Sequence, residues 1–455
     1  MKPDQSAFVS TIKQFFNSFD GRFLLLLTLL GVIEAWLFLG LLGQAYAPIQ
    51  GGDGPFYNRL AINLMDHGVC SYALQPPYLP TVERPPGYPL FLAAIYLVSG
   101  RSVLMVRLVQ FAFFTATAWL LYLLALRFVN RATAVVTALL CATYWPLLVM
   151  PVFHLTETLA TFLAVLCVYL WVRAMEYIAH PQRQRWYVFL TGLMCGVATQ
   201  IRPSFVFFVV MPMVAFAVPA FAPGSQAMSL RQRLSGCGLM ALGYALCIVP
   251  WAVRNTIVAH RFLPVSANGG LSLYVSAQQY AGERTYEMTN SDWQAVIKER
   301  KQHLDAVAAK LAHSRATGAD SDIAPSVQLE LVSNAQFTQE AKQKFASCGL
   351  GRILRSLPHR YLTFWGSNDD PPWTPQNFTR NIILGVLLVA GIWLYRKNIK
   401  MHWPLWMMPL YLMAVHTLYH IEYRYSFPAR PFLMIYISSM PTYLLSRLPF
   451  KPFGK

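Results

Sequence analysis

Charge is what this chain has least of. Only 13% of its 455 residues are Asp, Glu, Lys or Arg, where a soluble globular domain carries about a quarter. Hydrophobic residues reach 55% and mean hydropathy is +0.39, which excludes a soluble fold and indicates an all-α, polytopic helical membrane protein. Acidic residues are scarcer still, 20 against 37 Lys and Arg. A net charge of +17 would suggest nucleic acid in a soluble protein. No basic run with interleaved aromatics is present, so nucleic acid is excluded as a partner and the basic residues bear on membrane orientation. The seven cysteines show no CxxC spacing, and Cys141, Cys167, Cys195, Cys237 and Cys247 lie inside apolar runs, where they read as small buried hydrophobes. Cys70 and Cys348 alone fall in segments placed outside, which leaves a disulfide between them open. Glycine-rich phosphate loops and Ser/His/Asp hydrolase signatures are also missing, and no cofactor is expected.

Long apolar runs are what the chain has in quantity. The first, 23–43, is long enough to cross a hydrocarbon core of about 30 Å at about 1.5 Å per residue. Ala45-Tyr46-Ala47 after it imitates a signal-peptide cleavage site, but a signal core has only about 7 to 15 residues, so an uncleaved span is expected. Further runs at 102–125, 132–150, 153–172, 187–201, 204–222, 234–253, 379–395, 403–419 and 428–446 bring the count to ten, and 88–99 and 350–366 would make twelve. With the N-terminus inside, sixteen Lys and Arg fall in inner segments and five in short outer ones (Arg59, Arg84, Arg101, Arg202 and Arg424). That bias puts both termini in the cytoplasm. The chain then divides into an N-terminal transmembrane module, 1–253, carrying a long first outer loop at 45–101; an outer helical region, 254–378; and C-terminal transmembrane helices, 379–455.

The first outer loop holds the most unusual stretch, Gln50-Gly51-Gly52-Asp53-Gly54-Pro55-Phe56-Tyr57. It sets one carboxylate on a glycine-flanked backbone at a membrane edge, which makes Asp53 the first candidate for chemistry. A plainer reading competes: Pro55 suits the first turn of a helix, and Asp53 would then only favour the positive helix end. Pro55 to Gly68 has the pattern of an amphipathic helix lying in the interface. Pro85, Pro86 and Pro89 interrupt any helix after it, and Leu90 to Val98 is too short for a span, so it reads as re-entrant or juxtamembrane. In the outer region, Ser291 and Gln294 form a capping-box pattern for a helix over 292–314, and a second helix is expected near 326–346.

Asp53, Arg59, Arg84, His154, Glu157, Arg202, Arg254, His420, Glu422 and Arg424 all fall at or just beyond outer ends of spans, which suggests one outward-facing cavity. Each arginine taken singly also fits snorkelling toward lipid phosphate. Glu34 lies inside the first span, where a carboxylate is a functional candidate or is neutralised by protonation or a neighbouring helix. His416 and His420 are four apart with Glu422 nearby, a ligand-like spacing. A third firm ligand is lacking, so no metal site is expected.

The order Asp53, Arg84-Pro-Pro-Gly-Tyr-Pro89, Thr156-Glu157, Arg202-Pro203, Pro250-Trp-x-x-Arg-Asn255 and Tyr423-Arg424-Tyr425 resembles polyprenyl-phosphate-dependent membrane glycosyltransferases of the C-type fold. The likeness leans toward the bacterial protein-mannosyltransferase and aminoarabinose-transferase group. It implies transfer of a single sugar from a polyprenyl-phosphate donor to a glycolipid, polysaccharide or protein at the outer face of a bacterial inner membrane. It also implies that Asp53 is the general base or acceptor-orienting group. Glycines flank Asp53 where relatives often carry a second acidic residue, which leaves Glu157 as the candidate second carboxylate. The residue types fit independently: inverting transfer needs a carboxylate to take the acceptor proton, and guanidinium forks match the departing phosphate. Arg84, Arg254, Arg59 and Arg202 are the candidates for that phosphate. Tyr57, Tyr88, His420, Glu422 and Arg424 are candidates for substrate contact, although interfacial aromatic belts also explain the tyrosines and Trp365. The rival reading is a transporter or lipid flippase without covalent chemistry. It would place coupling charges near mid-membrane in paired halves, and no such repeat is evident. A catalytically silent relative or an oligosaccharide polymerase also fits.

Overall fold

A computed structural model describes residues 18–41, 52–218, 228–286, 290–316, 322–366 and 375–447. Gln50, Gly51 and the signal-like Ala45-Tyr46-Ala47 lie outside the described residues. Among the described residues the secondary structure is helical throughout: α1 Phe19–Leu41, α2 Gly54–His67, α3 Gly87–Ser99, α4 Val103–Phe128, α5 Arg131–Thr143, α6 Trp145–Leu148, α7 Glu157–Glu176, α8 Pro181–Ile201, α9 Val210–Ala217, α10 Leu230–Ala259, α11 Gly269–Ala281, α12 Asn290–Ala316, α13 Pro325–Trp365, α14 Pro375–Leu394, α15 Trp403–Leu418 and α16 Arg430–Arg447.

Four of these, α1, α4, α7 and α10, are long and apolar enough to cross a membrane unaided, and two bent pairs raise the number to six if each is one span. The all-α polytopic architecture stands, with fewer helices meeting that test than the ten apolar runs suggest. The reasons are local. The run at 187–201 is the second part of α8, whose first turns hold Arg183 and Arg185. The described part of the run at 204–222, which ends at 218, holds a 3-10 turn, Pro203–Phe205, followed by the eight residues of α9. The run at 132–150 breaks by 56° between α5 and the turn after Tyr144, where Pro146 sits in the first turn of α6.

Close helix contact is set by small residues. A Cβ placed on Gly192 of α8 would lie 2.0 Å from the Met240 carbonyl oxygen of α10, and one on Gly196 would lie 2.7 Å from the Cys247 Cβ. Four residues apart, they form one stripe, so the two backbones approach where bulkier residues would hold them apart. Gly87, which opens α3, repeats this against the end of α8: its Cβ would come within 2.5 Å of the Gln200 carbonyl. That fixes the loop ahead of α3 relative to the start of the Arg202 turn.

The outer region is built on buried polar anchors. Arg360 of α13 is fully buried and donates to the His416 carbonyl at 2.9 Å, the Ser276 hydroxyl at 2.8 Å and the Tyr419 carbonyl. One guanidinium thereby ties α11 and α13 to the end of α15. The expected second outer helix is longer than its sequence pattern, because α13 continues through a kink at Gly349, whose φ of +70° only glycine adopts readily. Cys70 and Cys348 are both free, Cys70 being buried, so no disulfide joins them. α10 runs past residue 253, the boundary read from sequence, to Ala259.

Gly192→Ala should destabilise the purified protein by about 1 to 3 kcal/mol, because a backbone carbonyl cannot move aside as a side chain can. Gly238→Ala on the same α10, where nothing lies within 4 Å, should be neutral or stabilising by up to about 1 kcal/mol. Paired thermal unfolding curves in one detergent would show the difference.

Candidate functional site

Asp53 is the N-cap residue of α2, yet its side chain makes no capping hydrogen bond. Pro55 at the first turn removes one donor that a cap would serve, and the preceding Gly52 takes a positive φ of +58°. The carboxylate goes instead to Arg84, with Oδ1 accepting from Nη2 at 2.8 Å. Of the two sequence readings, a helix-end charge or a functional carboxylate, this geometry departs from the first. Arg84 also donates to the Tyr57 hydroxyl at 3.1 Å and lies over the Tyr57 and Phe56 rings, 5.0 and 5.7 Å from their centroids. Tyr57 is braced edge-on by Tyr88. Tyr88 is fully buried and donates to Gln110, which in turn donates to the Pro151 and Phe153 carbonyls. Tyr88 thus supports Tyr57 from behind.

A second group lies close enough to the first for their charges to interact. α8 ends at Ile201 because Pro203 biases the residue before it out of helical geometry, and Arg202 is extended, with φ −145° and ψ 116°. Glu157 sits in the first turn of α7, where the helix end favours its charge. Its side chain is 2% exposed, with Oε1 lying 3.3 Å from Arg424 and 3.5 Å from Arg202. Below it runs a narrow cavity lined by Phe114, Thr117, Leu147, Met150, Thr158 and Thr161. The connection between α15 and α16, extended at Glu422 and then a 3-10 turn over Tyr423–Ser426, supplies the rest: Glu422 pairs with Arg424 Nε, and His420 Nε2 is 3.6 Å from Glu422 Oε1. Tyr425 ties these together, its hydroxyl 2.8 Å from His420 Nε2 and donating to Glu422 at 3.2 Å, while Arg202 packs over its ring.

The two groups share one electrostatic environment. Burial alone would raise the Asp53 carboxyl, but Arg84 and then Arg424 override it and hold the group below its ordinary 3.8, with Glu422 opposing. Glu422 is likewise held low: burial is outweighed by Arg424 and by the hydrogen bond from His420. The sign is the usual one for depressed carboxylates. The stability from these pairs is complete above the unfolded value and is lost as pH falls through the folded one.

Two donors at this end are left over. Arg84 Nε and Arg202 Nη1 are buried without a hydrogen-bond partner, the second with only its ion-pair contact to Glu157 at 3.5 Å. Buried unsatisfied donors are costly, each about 1 to 3 kcal/mol or more when charged, and guanidinium N–H groups in this state suit an anionic oxygen.

The structure therefore brings together Asp53, Tyr57, Arg84, Glu157, Arg202, His420, Glu422 and Arg424 from the sequence candidates. Arg254 is elsewhere: it donates to the Thr81 carbonyl at 2.7 Å and to Asn255, and lies over Trp251. Arg59 is half-buried on α2, and among the described residues no hydrogen bond or ion pair joins it to Asp53 or Arg84. Trp365 meets α16 through its carbonyl, which accepts from Arg430. His416 turns its Nδ1 to the His420 carbonyl, and among the described residues no cluster of three His, Cys, Asp or Glu could hold a metal ion. Tyr425 and Gln110 were not among the sequence candidates. Tyr425 had a signal, as the neighbour of Arg424 in an aromatic-flanked turn, whereas Gln110 lies mid-helix with none.

Residues 83–253 match the family model described as dolichyl-phosphate-mannose-protein mannosyltransferase. The fold is similar to that of the Archaeoglobus fulgidus oligosaccharyltransferase in its apo form, at 14% identity and a TM-score of 0.56 over 96% of this chain and 51% of that one. It is also similar to the same organism's oligosaccharyltransferase AglB in complex with an inhibitory peptide and a dolichol-phosphate, at 13% identity and a TM-score of 0.52 over 97% and 53%. ArnT from Cupriavidus metallidurans bound to undecaprenyl phosphate aligns at 14% identity and a TM-score of 0.40 over 92% and 78%. The chain spans about half the length of the archaeal proteins it matches. No curated protein matches it by sequence. In fold the chain is similar to these archaeal membrane proteins, and the family model that matches residues 83–253 belongs to the protein-mannosyltransferase group toward which the motif resemblance leans.

Glu157→Ala should cost about 3 to 5 kcal/mol, since it strands two guanidinium groups near a buried position. Glu157→Gln, which keeps the shape, should cost less. Chemical denaturation of the two variants side by side checks the order, and equal stability would show that the carboxylate does not hold Arg202 and Arg424.

Proposed function

We propose that the protein is a membrane glycosyltransferase that moves a single sugar from a polyprenyl-phosphate donor to an acceptor at the outer face of the cytoplasmic membrane, with inversion at the anomeric carbon. The observation that carries this reading is a half-open carboxylate, Asp53, among guanidinium groups two of which, Arg84 and Arg202, each keep a buried nitrogen without a hydrogen bond. The match of residues 83–253 to a dolichyl-phosphate-mannose transferase model supports it, as does the dolichol-phosphate bound by the archaeal protein of similar fold.

The chemistry follows from the residues. Asp53 accepts the proton of the acceptor hydroxyl or amine as its oxygen or nitrogen attacks the anomeric carbon. The bond from that carbon to the phosphate oxygen breaks, its electron pair stays on the phosphate, and the developing charge is taken up by Arg84, Arg202 and Arg424. In the resting site Arg84 holds Asp53 in a weakly basic state. A phosphate that draws Arg84 onto itself therefore frees the base at the moment the donor is in place. Glu157 orients Arg202 and Arg424, and Glu422 and His420 fix Arg424 from the opposite side. Arg254 and Arg59 have no part in these steps.

Asp53→Asn should lower transfer at least 1000-fold while leaving donor binding nearly unchanged, because the amide still accepts from Arg84 but takes no proton. Purified protein incubated with a panel of polyprenyl-phosphate sugars, with donor consumption measured, is the test. Full turnover by the Asn variant would reject the base assignment, and no consumption of any donor by the wild type would reject the transferase.

A further inference from the structure

Arg84 stands at the end of a short extended segment that is gripped on every side by a region with no direct part in the chemistry. Ser326 donates to the Pro80 carbonyl at 2.7 Å. The Thr81 N–H donates to the Cys70 carbonyl at 2.8 Å, and the Thr81 carbonyl accepts from Arg254 at 2.7 Å. Val82 is fully buried among Ala259, Ala267, Val327 and Leu331, and its carbonyl accepts from the Ala267 N–H at 2.8 Å. Glu83 is paired with Arg300 of α12 at 2.7 Å.

At the centre of this grip is Glu330 of α13. Its Oε1 accepts the Thr81 hydroxyl at 2.6 Å and its Oε2 accepts the Val82 N–H at 2.8 Å. Both oxygens of one carboxylate are spent on two consecutive residues, two and three positions before Arg84. The Thr81 hydroxyl in turn accepts the Glu83 N–H at 3.1 Å, so the contact reaches the residue next to Arg84. Burial raises the Glu330 carboxyl to about 7, a cost borne for a contact that touches none of the residues around Asp53.

We propose that Glu330 is a positioning residue for the donor site: by bridging Thr81 and Val82 it makes the outer helical region a clamp that holds Arg84 in register with Asp53. This rests on the transferase reading above. Arg254 belongs to the same clamp through the Thr81 carbonyl, which gives a different role to an arginine that the sequence made a candidate for the phosphate. Release of the clamp leaves the bundle intact but lets the 79–84 segment drift, and Arg84 then meets the donor phosphate and Asp53 in fewer productive arrangements.

The test uses the full chain in nanodiscs with Glu330→Ala and Glu330→Gln. Hydrogen exchange of peptides covering 79–90 should speed up at least tenfold in the Ala variant and stay within threefold of wild type in the Gln variant, whose amide oxygen still accepts from Val82. The α8 and α10 amides should be unchanged in both. Transfer should fall at least tenfold in kcat/KM for Ala with recovery in Gln, and affinity for undecaprenyl phosphate should fall in parallel for Ala. Faster exchange across the whole protein would reduce Glu330 to a folding contact and overturn the proposal. So would unchanged exchange at 79–90, or faster exchange there with transfer within twofold of wild type. A wild type that transfers no sugar would overturn the transferase reading, while the exchange and lipid-affinity arms would still decide whether Glu330 holds the segment and whether the segment holds the phosphate.

Discussion

Charges withdrawn from water have to be balanced where they sit, and at one end of this bundle the balance is close. Asp53, Glu157 and Glu422 face Arg84, Arg202 and Arg424, linked by contacts at 2.8, 3.3 and 3.5 Å and by the Glu422–Arg424 pair. Without a ligand the group is near neutral, which a partly buried position requires. Adding a phosphate adds negative charge, so at least one carboxylate must give up its partner to the newcomer. Which one yields is decided by exposure and by the number of partners. Glu157 is 2% exposed and shared by two arginines, and Glu422 is 5% exposed and held by Arg424, His420 and Tyr425. Asp53 is 36% exposed and, among the described residues, has Arg84 alone as its ion-pair partner. It is the carboxylate that a donor can release at least cost.

The scaffold serves that arrangement through short-range backbone chemistry. Pro203 pushes Arg202 out of α8 and into extended geometry. Gly87 lets α3 press against the carbonyl of Gln200 at the other end of the same turn. Arg430, at the start of α16, donates to the Ser426 hydroxyl at 2.6 Å and to the Gly366 carbonyl at 2.8 Å, holding the Tyr423–Ser426 turn against the end of α13. Each device acts within a few residues of a charged side chain, in a site that draws on five separated stretches of the chain.

Those local devices are also why the charged residues that the structure gathers were legible in the sequence. Asp53, Arg84, Arg202 and Arg424 each sit beside glycine or proline, or in an aromatic turn at the edge of an apolar run, and a sequence shows both features directly. Arg254 has the same signature, an arginine following Pro250-Trp251, yet its hydrogen bonds end on a backbone carbonyl. A pattern of residue types says that a guanidinium is present at the edge and nothing about which acceptor it finds. The Glu330 contact is less visible still. It joins positions 248 and 249 residues apart, and α13 is an ordinary polar helix by composition. The limits of the helices were less visible for another reason: the runs at 187–201 and 204–222 carry a polar first turn or a break in the helix that composition alone does not show.

An arginine-bound aspartate is a poor base, since efficient proton transfer calls for a pKa near the working pH. A carboxyl held below 3.8 is far from that. The same arginine that weakens it is the group suited to a departing phosphate, and a guanidinium cannot satisfy both fully. In the transfer proposed above, negative charge would grow on the phosphate as the bond to the sugar lengthens and would draw Arg84 further from Asp53, so that basicity would rise while the acceptor proton is being lost. Base strength and leaving-group stabilisation are then coupled through one side chain. The coupling also guards the resting site, because with no phosphate present Asp53 stays paired and has little tendency to activate water. It works only if the Arg84 backbone stays fixed while its side chain exchanges partners, and the anchoring of residues 80 to 83 by the outer region provides that condition.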